Sequence, residues 1–358
     1  MKSMGYNIID NAPKDTHFAA VNSGKGFLSF FSQVFGNEKI KKRYIIKGGP
    51  GTGKSSFMRR VASYAEGKGR AVEYFRCSSD PDSLDGIIID GCVAVLDGTA
   101  PHVYEPSLVG VEDEIVNLGE FWNADSLYDR YNDISSLSAL RSAAYVKVYK
   151  FLSAVSNLNE INDTLAYTAL DEEKMRAATR RILKQVKNGN RFRLEYGFVN
   201  AIGMGGLTHI SSFEKVAEKL YLVYDSYGLG WRFLSEIVDG AMEKRVRARI
   251  SYDPLEPHKP DGVYFPDDGI ALVLCDGEGV EGASRVNMNR FIVGEALDRI
   301  KVEYRHNRRL RDALFSAALD ALSEAGKYHF ELEDIYKDCM DFEAESRFID
   351  DFCRERLG

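Results

Sequence analysis

A glycine-rich turn near residue 50 constrains the fold of this chain more than any other feature. A short apolar run covers residues 44–46, and Gly-Gly-Pro-Gly-Thr-Gly-Lys-Ser-Ser occupies residues 48–56. Apolar residues then recur at the spacing of one helix face, at Phe57, Met58, Val61, Ala62 and Ala65. The pattern predicts a buried strand, a glycine-rich loop and an amphipathic helix in direct succession, and therefore an α/β fold.

The residue types of this loop fit the binding of a phosphate chain. Glycines adopt backbone conformations closed to other residues, so successive N–H groups can point inward and form an anion site with the helix N-terminus. Lys54 would place its charge across the β- and γ-phosphates of a nucleotide, and the hydroxyl of Ser55 would ligate Mg²⁺. The candidate cofactor-binding residues are Gly48, Gly49, Pro50, Gly51, Thr52, Gly53, Lys54, Ser55 and Ser56.

Residues 44–62 resemble the Walker A segment of P-loop NTPases. Within that superfamily, the order Gly-Pro-Gly-Thr-Gly-Lys-Ser is more similar to the ATPase branches than to the Ras-like GTPases. No Asn/Thr-Lys-x-Asp motif follows it in the sequence. The resemblance implies ATP and Mg²⁺ as cofactors, and it implies a catalytic role for Lys54 in neutralising the transferred phosphoryl group.

A second element of such a site is an aspartate at the end of an apolar strand. Residues 92–97 are Cys-Val-Ala-Val-Leu-Asp, which makes Asp97 the second candidate catalytic residue. Together with Ser55, Asp97 is also the predicted ligand set for Mg²⁺. Many P-loop ATPases carry a glutamate directly after this aspartate, whereas Gly98 follows here. The sequence therefore leaves open whether fast hydrolysis occurs.

The chain also carries an internal repeat. Tyr44, Gly51 and Gly53 match Tyr221, Gly228 and Gly230 at an offset of 177 positions, and Asp97 matches Asp276 at an offset of 179. The ordered matches predict two P-loop NTPase-like three-layer α/β domains, each with a mainly parallel sheet and appended helices. The expected boundaries are an N-terminal extension at 1–15, an intact domain at 16–187, a linker at 188–196 and a degenerate domain at 197–358.

The second copy of the loop lacks the residues that would hold a nucleotide. Trp231 stands at the position of Lys54, Arg232 at that of Ser55, and Asp225 at that of Gly48. We therefore expect a pseudo-site in the second half, with Arg232 as an arginine finger to the first site as an alternative. The layout resembles bacterial tandem P-loop ATPase-like proteins, a group without an assigned physiological role.

Composition narrows the classes of partner. Lys and Arg number 47 against 54 Asp and Glu, a net charge of −7, which disfavours nucleic acid as a partner. No apolar run approaches the roughly 18 residues of a membrane span. Five cysteines without a CxxC pair, and a polar stretch at 1–15, favour a cytoplasmic protein. The acidic residues at 112–114 are expected in a solvated loop or helix edge.

These features predict a weak or regulated Mg-dependent ATPase with one competent site in the N-terminal half. One alternative is a nucleotide-gated regulatory module with negligible turnover that binds a small molecule or a protein. Another is a small-molecule or nucleoside kinase-like phosphotransferase. In that case the acceptor pocket is expected between Asp80, Asp85 and His102.

Overall fold

The computed structural model describes residues 6–9, 11–189, 192–275 and 280–358. The chain is a mixed α/β protein with two sheets of six strands each. Among the helices of these described ranges, none is long and apolar enough to cross a membrane. Asp276, which the repeat matches to Asp97, lies outside the described residues, as do residues 190 and 191 of the expected linker.

Within its described residues, the first half of the chain forms nine strands and five α-helices, with one 3₁₀ turn at Leu118–Phe121. The strands are β1 (Asn7–Ile9), β2 (Thr16–Phe18), β3 (Ala20–Ser23), β4 (Gly26–Ser29), β5 (Lys42–Lys47), β6 (Val72–Arg76), β7 (Leu84–Ile89), β8 (Val93–Asp97) and β9 (Asp113–Asn117). The helices are α1 (Phe31–Phe35), α2 (Lys54–Gly67), α3 (Ala124–Asp129), α4 (Tyr131–Tyr167) and α5 (Glu172–Leu183).

The second half repeats this order of elements from β2 onward, apart from a counterpart of the short helix α3. Its strands are β10 (Arg193–Gly197), β11 (Asn200–Gly203), β12 (Gly206–Ile210), β13 (Lys219–Tyr224), β14 (Arg247–Tyr252), β15 (Pro260–Phe265), β16 (Ile270–Cys275) and β17 (Ser284–Asn287). Its helices are α6 (Ser212–Val216), α7 (Gly230–Glu243), α8 (Gly294–Lys337) and α9 (Phe342–Leu357), with a 3₁₀ turn at Met288–Phe291.

The two six-stranded sheets have the same topology. Their strand orders are β2-β6-β7-β8-β5-β9 and β10-β14-β15-β16-β13-β17. In the first sheet, β5 pairs in parallel with both β8 and β9, and β13 does the same with β16 and β17 in the second. Strand β7 runs antiparallel to both of its neighbours, β6 and β8, and β15 runs antiparallel to β14 and β16. Each sheet is thus mostly parallel, with an antiparallel hairpin inserted at the same place.

The chain divides by its contacts into two compact units, which we call the loop unit and the second unit. The loop unit comprises Asp15–Ala20, Ser29–Val148 and Leu319–Gly358. The second unit comprises Val21–Leu28, Tyr149–Ala318 and the described residues up to Lys14. This grouping differs from the consecutive stretches 16–187 and 197–358 that the repeat predicts. Strand β1, from the expected N-terminal extension, pairs in parallel with β12 of the second unit.

In the loop unit, one core cluster lies between the sheet and helix α2, and helix α9 covers α2. The helix face predicted from the sequence is buried in full, from Phe57 to Ala65. Phe352 of α9 packs edge-on against Phe57, at 5.0 Å between ring centroids, and against Tyr44 of β5, at 4.8 Å. Helix α2 is therefore covered by a helix from the far end of the chain.

In the second unit, helix α7 occupies the place of α2, and helix α5 packs against it. Gly240 of α7 faces Leu183 of α5 so closely that a Cβ at Gly240 would collide with that side chain. Helix α5 belongs to the first half of the sequence, and α9 belongs to the second. The two halves have therefore exchanged their terminal helices.

The backbone segments before these two helices are held in matching ways. Asp171 donates its N–H to Phe291 and accepts the N–H of Lys174 on its side chain. Asp341 donates its N–H to Phe121 and accepts that of Ala344 in the same way. Both aspartates cap their helices, which satisfies an N–H group that has no partner inside the helix.

Within the acidic residues 112–114, Asp113 and Glu114 lie on strand β9 and not in the expected solvated loop or helix edge, whereas Glu112 lies in a turn. Asp113 begins strand β9 and is fully buried. Its carboxylate accepts the N–H groups of Ser107 and Leu108 and lies 3.2 Å from Nη1 of the buried Arg43. Burial alone would raise the pKa of Asp113, but these donors outweigh it and hold the pKa below its usual value.

Candidate functional site

The glycine-rich loop, residues 48–53, connects β5 to α2 in the loop unit. Gly51 and Gly53 have φ of 70° and 80°, in the left-handed region that side chains disfavour. A Cβ at Gly53 would also collide with the carboxylate of Glu345, and one at Gly51 would collide with the backbone carbonyl of Glu333. The backbone path and the close neighbours both require glycine at these two positions.

Lys54 is the first residue of α2, and its side chain folds back over the loop. Its Nζ donates to the carbonyl of Gly49 at 2.7 Å and to that of Gly48 at 3.3 Å. The same Nζ lies 3.8 Å from Oδ2 of Asp97. The ammonium group is therefore held against the loop by two backbone carbonyls and lies near one carboxylate.

Asp97 is brought to the loop by the order of the strands. It is the last residue of β8, which pairs in parallel with β5, and its register partner is Ile46. Its Oδ1 accepts the N–H of Thr99 at 2.7 Å, and the hydroxyl of Thr99 donates to the carbonyl of Gly48. Lys54 and Asp97, which are 43 positions apart in the sequence, thus lie at the same end of the sheet.

The remaining candidate residues of the loop take several positions. The Ser55 hydroxyl accepts the N–H of Leu84 at 3.0 Å, which leaves it a second lone pair for a cation. Thr52 is buried and donates its hydroxyl to the carbonyl of Gly49 at 2.9 Å. Pro50 is partly buried, and Ser56 is exposed.

Two of the three residues expected around an acceptor pocket lie together. Nε2 of His102 is 3.4 Å from Oδ1 of Asp85, and both residues are buried. Burial raises the pKa of Asp85 to about 6, with His102 opposing the shift and Asp97 adding to it. Asp80, by contrast, forms a turn in which it accepts hydrogen bonds from Asp82 and Ser83.

Two residues at this site were missed by reasoning from the sequence. Glu345 of α9 is buried against Gly53, and burial raises its pKa to about 7 against the charge of Arg60. Cys77, which follows β6, lies beside Asp85 and His102. A repeat-based division places Glu345 in the other domain, and Cys77 belongs to no recognised spacing, so the sequence contained no clear signal for either.

The second loop, residues 225–231, has the same place between β13 and α7 but different contacts. Asp225 accepts the N–H groups of Tyr227 at 3.0 Å and Gly230 at 2.6 Å. The side chains of Trp231 and Arg232 both donate to Asp163, at 2.8 and 2.6 Å. The carboxylate of Asp225 therefore accepts two N–H groups of its own loop and of the start of α7.

Arg232 is further held by aromatic neighbours in its own unit. Its guanidinium carbon lies 4.2 Å from the ring centroid of Tyr167.

Comparisons of the chain with protein-family models, with curated proteins and with solved structures found no match. What can be inferred about function therefore depends on the sequence motif and on the geometry of the site.

Proposed function

We propose that this chain is an ATP-binding P-loop protein with a single working nucleotide site at residues 48–56 of the loop unit. The observation that carries the proposal is the distance of 3.8 Å between Nζ of Lys54 and Oδ2 of Asp97. The glycine-rich loop and the strand-end aspartate are the two parts that a Mg-nucleotide site needs. Their meeting at one end of neighbouring parallel strands supports a common role.

In this proposal the residues have distinct tasks. The N–H groups of the loop and of the α2 N-terminus bind the phosphates, and Lys54 moves from its loop carbonyls to the β- and γ-phosphates. Ser55 and Asp97 hold Mg²⁺, directly or through water. The chemistry is the positioning and charge neutralisation of an in-line phosphoryl transfer.

The second unit is proposed to be a duplicated copy that no longer binds nucleotide. The equal strand order of the two sheets supports the duplication. The hydrogen bonds of Asp225 to the second loop support the loss of nucleotide binding. A fixed carboxylate at this place repels a phosphate and already accepts the N–H groups that would bind one.

Turnover is proposed to be slow. Gly98 follows Asp97, and the N–H of Thr99 donates to Asp97, so this turn offers no second carboxylate to polarise an attacking water. The same feature favours the second candidate, a nucleotide-gated regulatory module that binds ATP and releases little phosphate. The buried pair of Asp85 and His102 favours a third candidate, a phosphotransferase whose acceptor hydroxyl binds there.

Calorimetric titration with ATP and with GTP, each in the presence of Mg²⁺, tests the proposal. Wild type is expected to bind one equivalent of ATP, and Lys54→Ala is expected to abolish binding. Lys68→Ala is the matched control, because it removes the same charge from the exposed far end of α2. Two equivalents would contradict the loss of the second site, and no binding at all would overturn the whole proposal.

Phosphate release in the same samples distinguishes the three candidates. Slow, catalytic release of phosphate that is lost in Asp97→Asn indicates an ATPase. Tight binding with less than one phosphate released per chain indicates the regulatory module. ADP formation that rises only when small-molecule hydroxyl acceptors are added, with a phosphorylated product in place of free phosphate, indicates the phosphotransferase.

A further inference from the structure

A group of three side chains of different chemistry meets beside the glycine-rich loop. Cys77 follows strand β6, Asp85 lies on β7, and His102 follows β8. One donor atom from each of the three lies within 4.8 Å of the other two. Within the part of the chain that the structure describes, this is the one such group of three or more His, Cys, Asp or Glu side chains.

We propose that Cys77, Asp85 and His102 form a binding site for a divalent transition metal ion of the zinc class. The site is separate from the proposed Mg²⁺ ligands, Ser55 and Asp97. It does not depend on nucleotide binding, so either proposal can fail without the other.

The spacing of the donor atoms suits a small four-coordinate ion. Ligands at about 2.0–2.3 Å from a tetrahedral ion lie about 3.3–3.8 Å from one another. Nε2 of His102 and Oδ1 of Asp85 are already 3.4 Å apart, and the Cys77 sulfur completes the group within the 4.8 Å limit. Only side-chain adjustments of about 1 Å are needed for the three donors to converge on one ion.

One carboxylate oxygen of Asp85 accepts no hydrogen bond from the described part of the chain. Asp85 is 3% exposed, and its Oδ2 has no hydrogen-bond partner among the described residues. A buried carboxylate oxygen without a partner lowers the stability of the fold, since it loses its hydrogen bonds to water on burial and gains none in the protein. A bound cation would supply the missing interaction.

His102 is held in place for this role. Its ring stacks on the buried Phe31, with 5.1 Å between centroids and 19° between planes, and its backbone N–H donates to Thr99. A fixed ring presents its nitrogen in one direction, which lowers the entropic cost of ligation. The plane of the ring is thus fixed by packing on Phe31 before any ion binds.

The donor set predicts which ion binds. A thiolate and an imidazole favour zinc and similar ions, whereas Mg²⁺ requires oxygen ligands. Three protein ligands leave a fourth position for water or a substrate, as in catalytic rather than structural zinc sites. The thiolate is the form of cysteine that binds a metal ion, so binding releases the proton of the Cys77 thiol.

The second unit has aspartates at the places of Asp85 and Cys77, so its donor set contains no thiol at the latter place. Asp261 occupies the place of Asp85, directly before the glycine of the same strand, and its Oδ2 accepts a hydrogen bond of 2.6 Å from Asn200. The residue after β14, at the place of Cys77, is Asp253, which accepts the N–H groups of Leu255 and Glu256. Asp261 therefore offers a matched control within the same chain.

The experiment uses the full chain, freed of metal with a chelator and titrated with Zn²⁺ and with Co²⁺ without nucleotide. We expect one equivalent of each ion to bind, and we expect a sulfur-to-cobalt charge-transfer band from Cys77. Cys77→Ser should remove that band, and Cys77→Ser, Asp85→Asn and His102→Gln should each weaken Zn²⁺ binding at least about 10-fold. An excess of Mg²⁺ should not displace the bound ion.

Cys92→Ser and Asp261→Asn are the controls, and both should bind Zn²⁺ like wild type. The proposal is overturned if wild type binds no equivalent of Zn²⁺, or if Cys77→Ser keeps the wild-type affinity and spectrum. Circular dichroism of each variant shows whether it is folded. If Asp85→Asn or His102→Gln unfolds, wild-type stoichiometry and the cobalt spectrum of Cys77→Ser still decide the question.

Discussion

Glu345 shows how the exchange of helices acts at the scale of one residue. It is a buried carboxyl group beside Gly53, and its pKa is raised from 4.5 to about 7, chiefly by burial. Between these two pH values the folded state binds more protons than the unfolded state, so stability falls as pH rises through this window. The carboxyl group then costs stability above about pH 7, where it must be charged in a buried site.

Glu345→Gln is therefore expected to raise the free energy of unfolding at pH 8 by on the order of 1–3 kcal/mol and to change it little near pH 4.5. Urea unfolding followed by circular dichroism at both pH values measures the difference. Glu343→Gln is the control, because the side chain of Glu343 on the same helix is 92% exposed. A gain of equal size at both pH values would show that the ionisation of Glu345 is not its cause.

At the scale of elements, the pairing of α2 with α9 is expected to stabilise the loop unit. Phe352 is 5% exposed and contacts the rings of Tyr44 and Phe57. Phe352→Ala should lower the free energy of unfolding by about 3–5 kcal/mol, because it leaves a cavity between the two helices and the sheet. Chemical denaturation measures the loss, and Phe342→Ala, at a position 44% exposed, should cost much less. Equal losses in the two variants would contradict the packing.

The elements around the glycine-rich loop, but not the elements that cover them, were predictable from the sequence. Strand β5, helix α2 and the end of β8 at Asp97 follow the predicted pattern, because alternation and helical spacing report which side chains are buried. Such patterns do not report what buries them, so nothing in the sequence indicated that Phe352 covers α2. The prediction that Asp113 is exposed to solvent was wrong for a related reason. An aspartate among acidic residues looks solvated until its partner Arg43, 70 positions away, is known.

The candidate site also has a part that the sequence predicts and a part that depends on contacts between distant residues. The spacing from Gly48 to Ser55 describes a local structure, and local structure is what sequence motifs encode best. Cys77, Asp85 and His102 meet only because β6, β7 and β8 are neighbours in the sheet. Their separation in the sequence matches no motif, so the group became visible only when the strand order was known.

At the scale of the whole molecule, the exchange of α5 and α9 predicts that neither half of the sequence is a complete folding unit. A chain of residues 1–188 would contain α2 without α9, and a chain of residues 189–358 would contain α7 without α5. Each half alone would expose the apolar helix face that the other half covers, and faces of this size promote aggregation. We expect each isolated half to bind a hydrophobic dye and to unfold without a cooperative transition.

Two further samples complete this test. The two halves expressed together should co-purify as a folded complex. A protease site placed between residues 188 and 193 allows the intact protein to be cut after it has folded, and the two fragments should still elute together in size-exclusion chromatography. If residues 1–188 alone unfold cooperatively and bind no dye, the consecutive domains expected from the repeat are correct and the exchange is wrong. If only the mixture folds, the two halves depend on each other, because each supplies the helix that completes the other's core.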